Sequence, residues 1–317
     1  MSLPWKKNLS ETDMKIPDFP DFIPLDVGLK EVLHPRLSLT PDGVSEFTFS
    51  GLYLFRNKYN YRISRCISPD SKNESFIISG EQNGKTFFMT PCTAPDFKTL
   101  EFLFKTHDYW KNISNSVLIP VVENLEKRGI VFHEDRDNFD YLYFRTDLAE
   151  LSGKKYHKKK NHVNHFLHSY LYHRHEPITG VLIPHAIDIL DRWRLDSIRR
   201  NGEEGDYKAA KESLELFDFL ALKGLIFYID EQPAAFCLGE SLARGKMFVT
   251  HFEKAIDEYK GIYQYVNQAF AASLPGFFTL INREQDLGNE GMRQAKMTYR
   301  PCGFVQKYKA EGGSCRK

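Results

Sequence analysis

The sequence predicts a mixed α/β (α+β) protein made of two similar halves, each a mixed, mostly antiparallel sheet flanked by helices. Three observations carry this. From Ile187 to Tyr308 the apolar pattern runs helix, helix, three strands, loop, helix, strand, helix, strand. A rougher version of that order runs through residues 26–178. Short β-rich runs are separated by reversing turns such as Gln82-Asn83-Gly84-Lys85, in which Asn-Gly accepts positive φ at both central positions. We read the pattern as a divergent internal duplication: an arm over 1–25, halves over 26–178 and 179–311, and a tail over 312–317.

In chain order, Pro4, Pro17, Pro20 and Pro24 make the arm extended. Asp26 is placed to cap a helix over Val27–Leu33, ended by His34-Pro35. Strands are expected over Phe47–Phe55, Tyr59–Cys66, Phe76–Ser79 and Thr86–Thr90. Helical spacing follows at Leu100, Leu103 and Phe104, and again from Val117 to Leu125, with Gly129 as C-cap. A strand over Asp140–Phe144 leads into a long basic helix over Asp147–Tyr172. The second half offers helices over Ile187–Arg199 and Tyr207–Leu222, then strands over Leu225–Ile229, Ala234–Ser241 and Met247–Phe252. A helix over Ile262–Leu274, a strand over Phe277–Ile281, a helix capped by Asn289 and a strand over Phe304–Tyr308 complete it. The run Asp140–Phe144 then Asp147-Leu148 and a helix parallels Phe277–Ile281 then Asp286-Leu287 and a helix.

Composition limits the function classes. The 317 residues are 42% hydrophobic and 27% charged, as in a globular protein. A formal net charge of +1 gives no general field for nucleic acid or membrane, so any such attraction is local. Five cysteines, odd in number and without a Cys-x-x-Cys pair, fit a reducing compartment rather than a disulfide framework or zinc knuckle. With neither a secretory signal at the start nor an apolar run of ~18 residues, the expected location is the cytoplasm, with no transmembrane segment. There is no Gly-x-Ser-x-Gly elbow, P-loop or Gly-x-Gly-x-x-Gly, so hydrolase, NTPase and dinucleotide readings lose support.

The densest feature is basic. Lys154, Lys155, Lys158, Lys159 and Lys160 crowd about one and a half helical turns. Their repulsion destabilises an isolated helix, and an anionic partner relieves it: a tRNA acceptor end, a CoA phosphate or anionic lipid heads. The alternative is a solvated face with acidic neighbours. His162, His165 and His168 share a helix face, but the adjacent lysines oppose a dication, so no metal is assigned.

The C-terminal segment is more specific. Asn289-x-Gly291-Met292-Arg293-x-Ala295-Lys296-x-x-Tyr299-x-Pro301-x-Gly303-Phe304 resembles the Asn…Ala…Tyr…Gly-Phe signature of GNAT-class acyltransferases. Gly291, Arg293, Lys296 and Pro301 match the Gly-Leu-Arg-x-Phe-Lys-x-Lys-Phe-x-Pro pattern of phosphatidylglycerol lysyltransferase C-terminal domains; Met292, Ala295, Thr298 and Tyr299 depart from it. Phe49–Tyr59, Tyr141–Phe166 and Asn282–Gly288 look like the stand-alone bacterial branch of that family. The resemblance spans roughly Asp26 to Tyr308 and implies tandem GNAT-like domains.

The resemblance also implies a site. It places groups facing the reacting carbonyl near the end of the third strand, making His251, Glu253 and Lys254 candidates. His251, Glu253 or Glu284 would be the base; Lys296, or backbone amides near Lys260-Gly261, would hold negative charge. The strand-to-helix loop with Lys260, Gly261 and Tyr263 would take an anionic donor group, as would Asn289, Arg293, Tyr299, Lys155, Lys158 and Lys159. The implied reaction moves an acyl or aminoacyl group from a CoA thioester or aminoacyl-tRNA to an amine or hydroxyl, with no covalently bound cofactor. The acceptor, a small molecule, peptide or lipid headgroup, is expected in a cleft between the halves, with Lys296 pointing into it. tRNA and a peripheral membrane surface are the implied macromolecular partners. The alternative is a non-catalytic module that recognises an anionic ligand: RNA, a nucleotide or a lipid headgroup.

Overall fold

The computed structural model describes residues 15–67, 74–201 and 204–312. Its described strands are β1 Ile23–Pro24, β2 Arg62–Ile67, β3 Glu74–Gln82, β4 Lys85–Met89, β5 Tyr109–Ser114, β6 Val131–Glu134 and β7 Asp140–Phe144. There follow β8 His173–Pro177, β9 Lys223–Ile229, β10 Gln232–Leu242, β11 Met247–Ala255, β12 Leu280–Asn282, β13 Gly303–Val305 and β14 Lys307–Glu311.

They form two seven-stranded sheets, in the orders β1-β2-β3-β4-β5-β14-β6 and β8-β9-β10-β11-β12-β7-β13. Position by position the two agree in sense. The first four strands are antiparallel to their neighbours, the fourth and fifth are parallel, and the last two junctions are antiparallel again. The sixth position is exchanged: β7, from the first half of the sequence, lies in the second sheet, and β14, from the end of the chain, lies in the first.

This exchange corrects the expected boundaries. Among the described residues the compact units are 15–40, 46–135 and 307–312, and 41–45 and 136–306; the break does not fall at 178. The reason is packing. Tyr141 and Tyr143 of β7 are buried in one apolar cluster with Phe248, Phe270 and Ile281, and burying each such ring contributes about 2 kcal/mol. The expected equivalence of Asp140–Phe144 with Phe277–Ile281 is corrected too. β7 and β12 are antiparallel partners, Tyr143 opposite Ile281, and the counterpart of β7 is β14.

Local expectations fail where the apolar pattern has no clear period. Phe47–Phe55, read as a strand, is the helix Phe49–Leu54, because the Thr48 hydroxyl accepts the Gly51 N–H and caps it. The helix after Asp26 is a 3-10 turn, Val27–Leu29, continuing as Lys30–Leu37 through Pro35. The basic helix is broken in two, Arg145–Glu150 and His157–Ser169, at Leu151 (φ 48°) and Gly153 (φ 84°). Strands β5, β6 and β8 were not expected; polar residues such as Lys111, Asn112, His133, Arg174 and Glu176 mask their alternation. The tight turns hold, with Asn83-Gly84 and Asp230-Glu231 all at positive φ. Part of the arm is tied to the first sheet: β1 pairs with β2, and Arg65 binds Asp18 at 2.7 Å. Cys315 lies outside the described residues.

Candidate active site where β11 and β12 part

In the second unit, β11 and β12 pair in parallel over three residues only, ending at Val249 opposite Asn282. β11 continues to Ala255, and side chains span the gap. His251 Nε2 lies 2.9 Å from Glu240 Oε1, and its Nδ1 lies 2.8 Å from Glu284 Oε1. With a carboxylate on each ring nitrogen, both nitrogens donate. Burial opposes the charge, but the two glutamates outweigh it and push the imidazole pKa up to about 10. His251 is therefore a fixed cation near neutral pH, which removes it as the base. Glu284 is held at φ 55° because its N–H donates to Asn282 Oδ1 at 2.7 Å. Asn282 is itself fixed by bonds to the Gly43 carbonyl and Asp140. The Glu284 side chain is 26% exposed, and among the described residues its Oε2 carries no hydrogen bond.

A second pair crosses the gap two residues along. Arg283 NH2 donates to both oxygens of Glu253 at 3.2–3.3 Å. Its guanidinium also lies 5.1 Å from the Tyr299 ring centre, and the Asn267 amide, oriented with its oxygen inward, accepts from it at 3.1 and 3.3 Å. Burial pushes the Tyr299 phenol up to about 12, against the pull of Arg283. Above the same ring, at 4.1 Å, sits the ammonium of Lys159. Burial, then Arg283, lowers its pKa. Unlike Lys155, which binds Asp147 at 2.9 Å, Lys159 has no carboxylate partner among the described residues. Lys158 is exposed.

Lys296 departs from its expected role. Its ammonium donates to the carbonyls of Arg283, Glu284 and Gln285 at 2.7, 3.1 and 2.5 Å. All three protons are spent holding the loop that carries Glu284, so Lys296 positions the site rather than reaching a ligand. Burial draws its pKa down to about 8, with Glu284 opposing and Arg283 reinforcing.

The remaining candidates are separated from this centre or consumed in structure. Lys254 binds Asp206 at 2.5 Å and lies 3.6 Å over Trp193. It alternates on β11 with His251 and Glu253, so it faces the other side of the sheet. Arg293 binds Asp286 and Asp137. Burial would raise the Asp286 carboxyl, but hydrogen bonds from Arg293, Tyr141 and the Gly288 N–H hold it well below the carboxylate range. Asn289 caps the helix Glu290–Met297 through Met292 N–H. The Lys260 N–H donates to Tyr170 Oη, and Tyr263 Oη to the Ala255 carbonyl. Gly261, at φ 89°, is pressed against the helix His157–Ser169, where a Cβ would lie 2.5 Å from the His162 carbonyl oxygen. Close chain packing accounts for this glycine.

Three members were missed from sequence: Glu240, Asn267 and Arg283. A buried arginine between a glutamate and a tyrosine leaves no spacing signal; only its place beside Glu284 marked Arg283.

Duplicated sheets of this order, with an ionised cluster where the fourth and fifth strands part, define a tandem GNAT-like acyltransferase fold. The chain belongs to the phosphatidylglycerol lysyltransferase C-terminal family, which it matches over residues 38–311. It is 27% identical to a conserved protein of unknown function from Bacteroides thetaiotaomicron, with a TM-score of 0.79 over 92% of this chain and 99% of that one. L-PGS from Bacillus licheniformis shares the fold at 14% identity, with a TM-score of 0.59 over 95% and 94% of the two chains. An uncharacterised protein of Mycoplasmoides gallisepticum is 28% identical over 191 residues; the match covers 56% of this chain and 57% of that protein's length. Among the described residues no helix is long and apolar enough to cross a membrane.

Proposed function

We propose that the protein transfers an aminoacyl or acyl group from an activated carrier, an aminoacyl-tRNA or acyl-CoA, to an amine or hydroxyl. The observation that carries the reading is Glu284: one oxygen is locked on protonated His251 and the other is open. In this account Glu284 Oε2 takes the proton from the acceptor as its nitrogen or oxygen bonds to the carrier's carbonyl carbon. The tetrahedral oxyanion then collapses, the carrier oxygen or sulfur departs, and the proton returns to it. His251, Lys296 and Arg283 keep the local field positive while that charge develops. Lys159, without a carboxylate of its own, receives an anionic group of the carrier.

Thermal-shift measurements with acetyl-CoA, aminoacyl-tRNA, lipid headgroups and uncharged RNA test the reading. Stabilisation by a charged donor supports it. Stabilisation by headgroups or uncharged RNA alone would point to a binding module instead.

A further inference from the structure

We propose that Ser79, with His107 as its base, is a covalent acyl-acceptor site on the first unit, taking an acyl group from an activated carboxylic ester. It stands apart from the transfer reaction above and does not depend on it.

His107 closes the helix Phe97–Thr106, its backbone N–H donating to the Leu103 carbonyl at 2.7 Å. The ring folds back on the same turn. Its Nδ1 lies 3.2 Å from the Leu103 carbonyl oxygen and 2.9 Å from Thr106 Oγ1. A carbonyl only accepts, so Nδ1 carries the proton. The Thr106 hydroxyl directs its own proton to the carbonyls of Phe102 and Leu103, each at 3.2 Å, so it accepts from Nδ1 as well. These bonds fix the tautomer and leave a lone pair on Nε2. The ring packs 5.7 Å from Phe88 and 6.3 Å from Phe22, centre to centre. Burial lowers its pKa below 6.5, against the Leu103 bond and Asp108, so the imidazole is neutral near pH 7.

That lone pair faces Ser79, whose Oγ lies 2.8 Å from Nε2. Among the described residues nothing else bonds the Ser79 hydroxyl. Ser79 sits on β3, opposite Arg62 of β2 and Phe88 of β4, so the three side chains share one face of the sheet. Ser79 and His107 are each only partly buried, and Arg62 is exposed. Arg62 donates to the Phe22 carbonyl at 2.7 Å and brings positive charge to this face. The neighbouring carboxylates are engaged elsewhere: Asp108 accepts from the Thr86 N–H and hydroxyl at 2.8 and 3.2 Å, and Glu81 from the Asn60 amide at 3.1 Å.

A hydroxyl on a neutral imidazole, itself oriented by a third group, is the arrangement that activates a serine. His107 Nε2 takes the Ser79 proton as Oγ bonds to the ester's carbonyl carbon. The tetrahedral adduct collapses, the bond from that carbon to the leaving oxygen breaks, and His107 returns the proton to that oxygen. The products are acyl-Ser79 and an alcohol. A carbonyl behind the ring supports the imidazolium less than a carboxylate would, so uptake is slow.

The test is acetylation by p-nitrophenyl acetate, read by peptide mass spectrometry at Ser79 itself, a readout that is the same whether or not Glu284 supports transfer. We expect the parent to be acetylated there, and His107→Gln about 10²-fold more slowly. In the parent the rate is flat between about pH 7 and 9, because the base is already neutral, whereas an unassisted hydroxyl gains about tenfold per pH unit. This profile keeps the test decisive if His107→Gln folds poorly. Two results overturn the proposal: Ser79 stays unmodified in the parent, or its labelling climbs about tenfold per pH unit, as for an ordinary surface serine.

Discussion

The Nδ1 atom of His251 lies 2.8 Å from Oε1 of Glu284, while the opposite nitrogen faces Glu240 at 2.9 Å. The ring is thus clamped as a cation, and its folded pKa of about 10 stands above the free value of 6.5. Stabilisation from this raised group is fully present below about pH 6.5 and is lost as pH rises through about 10. Nitrogen NMR at pH 8.5 is expected to show one imidazolium still doubly protonated. His251→Gln removes that signal and flattens the decline in urea midpoint across the window. A ring that titrates near pH 6.5 would contradict the clamp.

Lys296 carries the opposite sign. Its folded pKa of about 8 lies below 10.5, so the unfolded chain binds more protons between those values and the penalty of burying the charge is relieved as pH rises through them. Lys296→Met strips the ammonium from three carbonyls, and of these the Glu284 carbonyl keeps the Tyr141 N–H while those of Arg283 and Gln285 lose their donor. We expect a loss of roughly 1–3 kcal/mol, seen as a lower Tm, together with lower turnover because Glu284 loses its support. A variant as stable as the parent would remove this role.

Lys159 and Lys158 are neighbours with different surroundings. Lys159 sits half-buried over Tyr299, and Lys158 is solvated. Lys159→Gln is expected to raise the donor Kd about tenfold, and Lys158→Gln less than threefold, since exposed charges contribute little. The Lys159 effect also shrinks at high salt. Equal effects would assign binding to the basic run as a whole.

Gly261 tests the packing account of the strand-to-helix loop. Gly261→Ala adds a Cβ at φ 89° only 2.5 Å from the His162 oxygen. The expected cost is roughly 2–3 kcal/mol. Weaker donor binding at unchanged Tm would restore the loop as an anion site.

The duplication, the succession of elements in the second half and the nearness of His251, Glu253, Glu284 and Tyr299 were legible in the sequence, because runs such as Ala234–Leu238 are continuously apolar between turn residues and the C-terminal motif is specific. The exchange of β7 and β14 was not, because local pattern says nothing of which sheet a strand joins. Nor was the real task of Lys296. A lysine one turn before Tyr299 reads alike whether its protons meet carbonyls or a ligand; only the fold of residues 283–285 decides it.

The central claim is that Glu284 moves the proton in a transfer reaction. Its most direct test follows radiolabel from acetyl-CoA and from a set of charged tRNAs onto phosphatidylglycerol vesicles, amines and peptides, with the parent protein and Glu284→Gln side by side. The account predicts transfer by the parent from one donor, at least 10²-fold slower in the variant, with donor Kd within about threefold. Equal rates in the two proteins, or no label leaving any donor above the protein-free control, would contradict it.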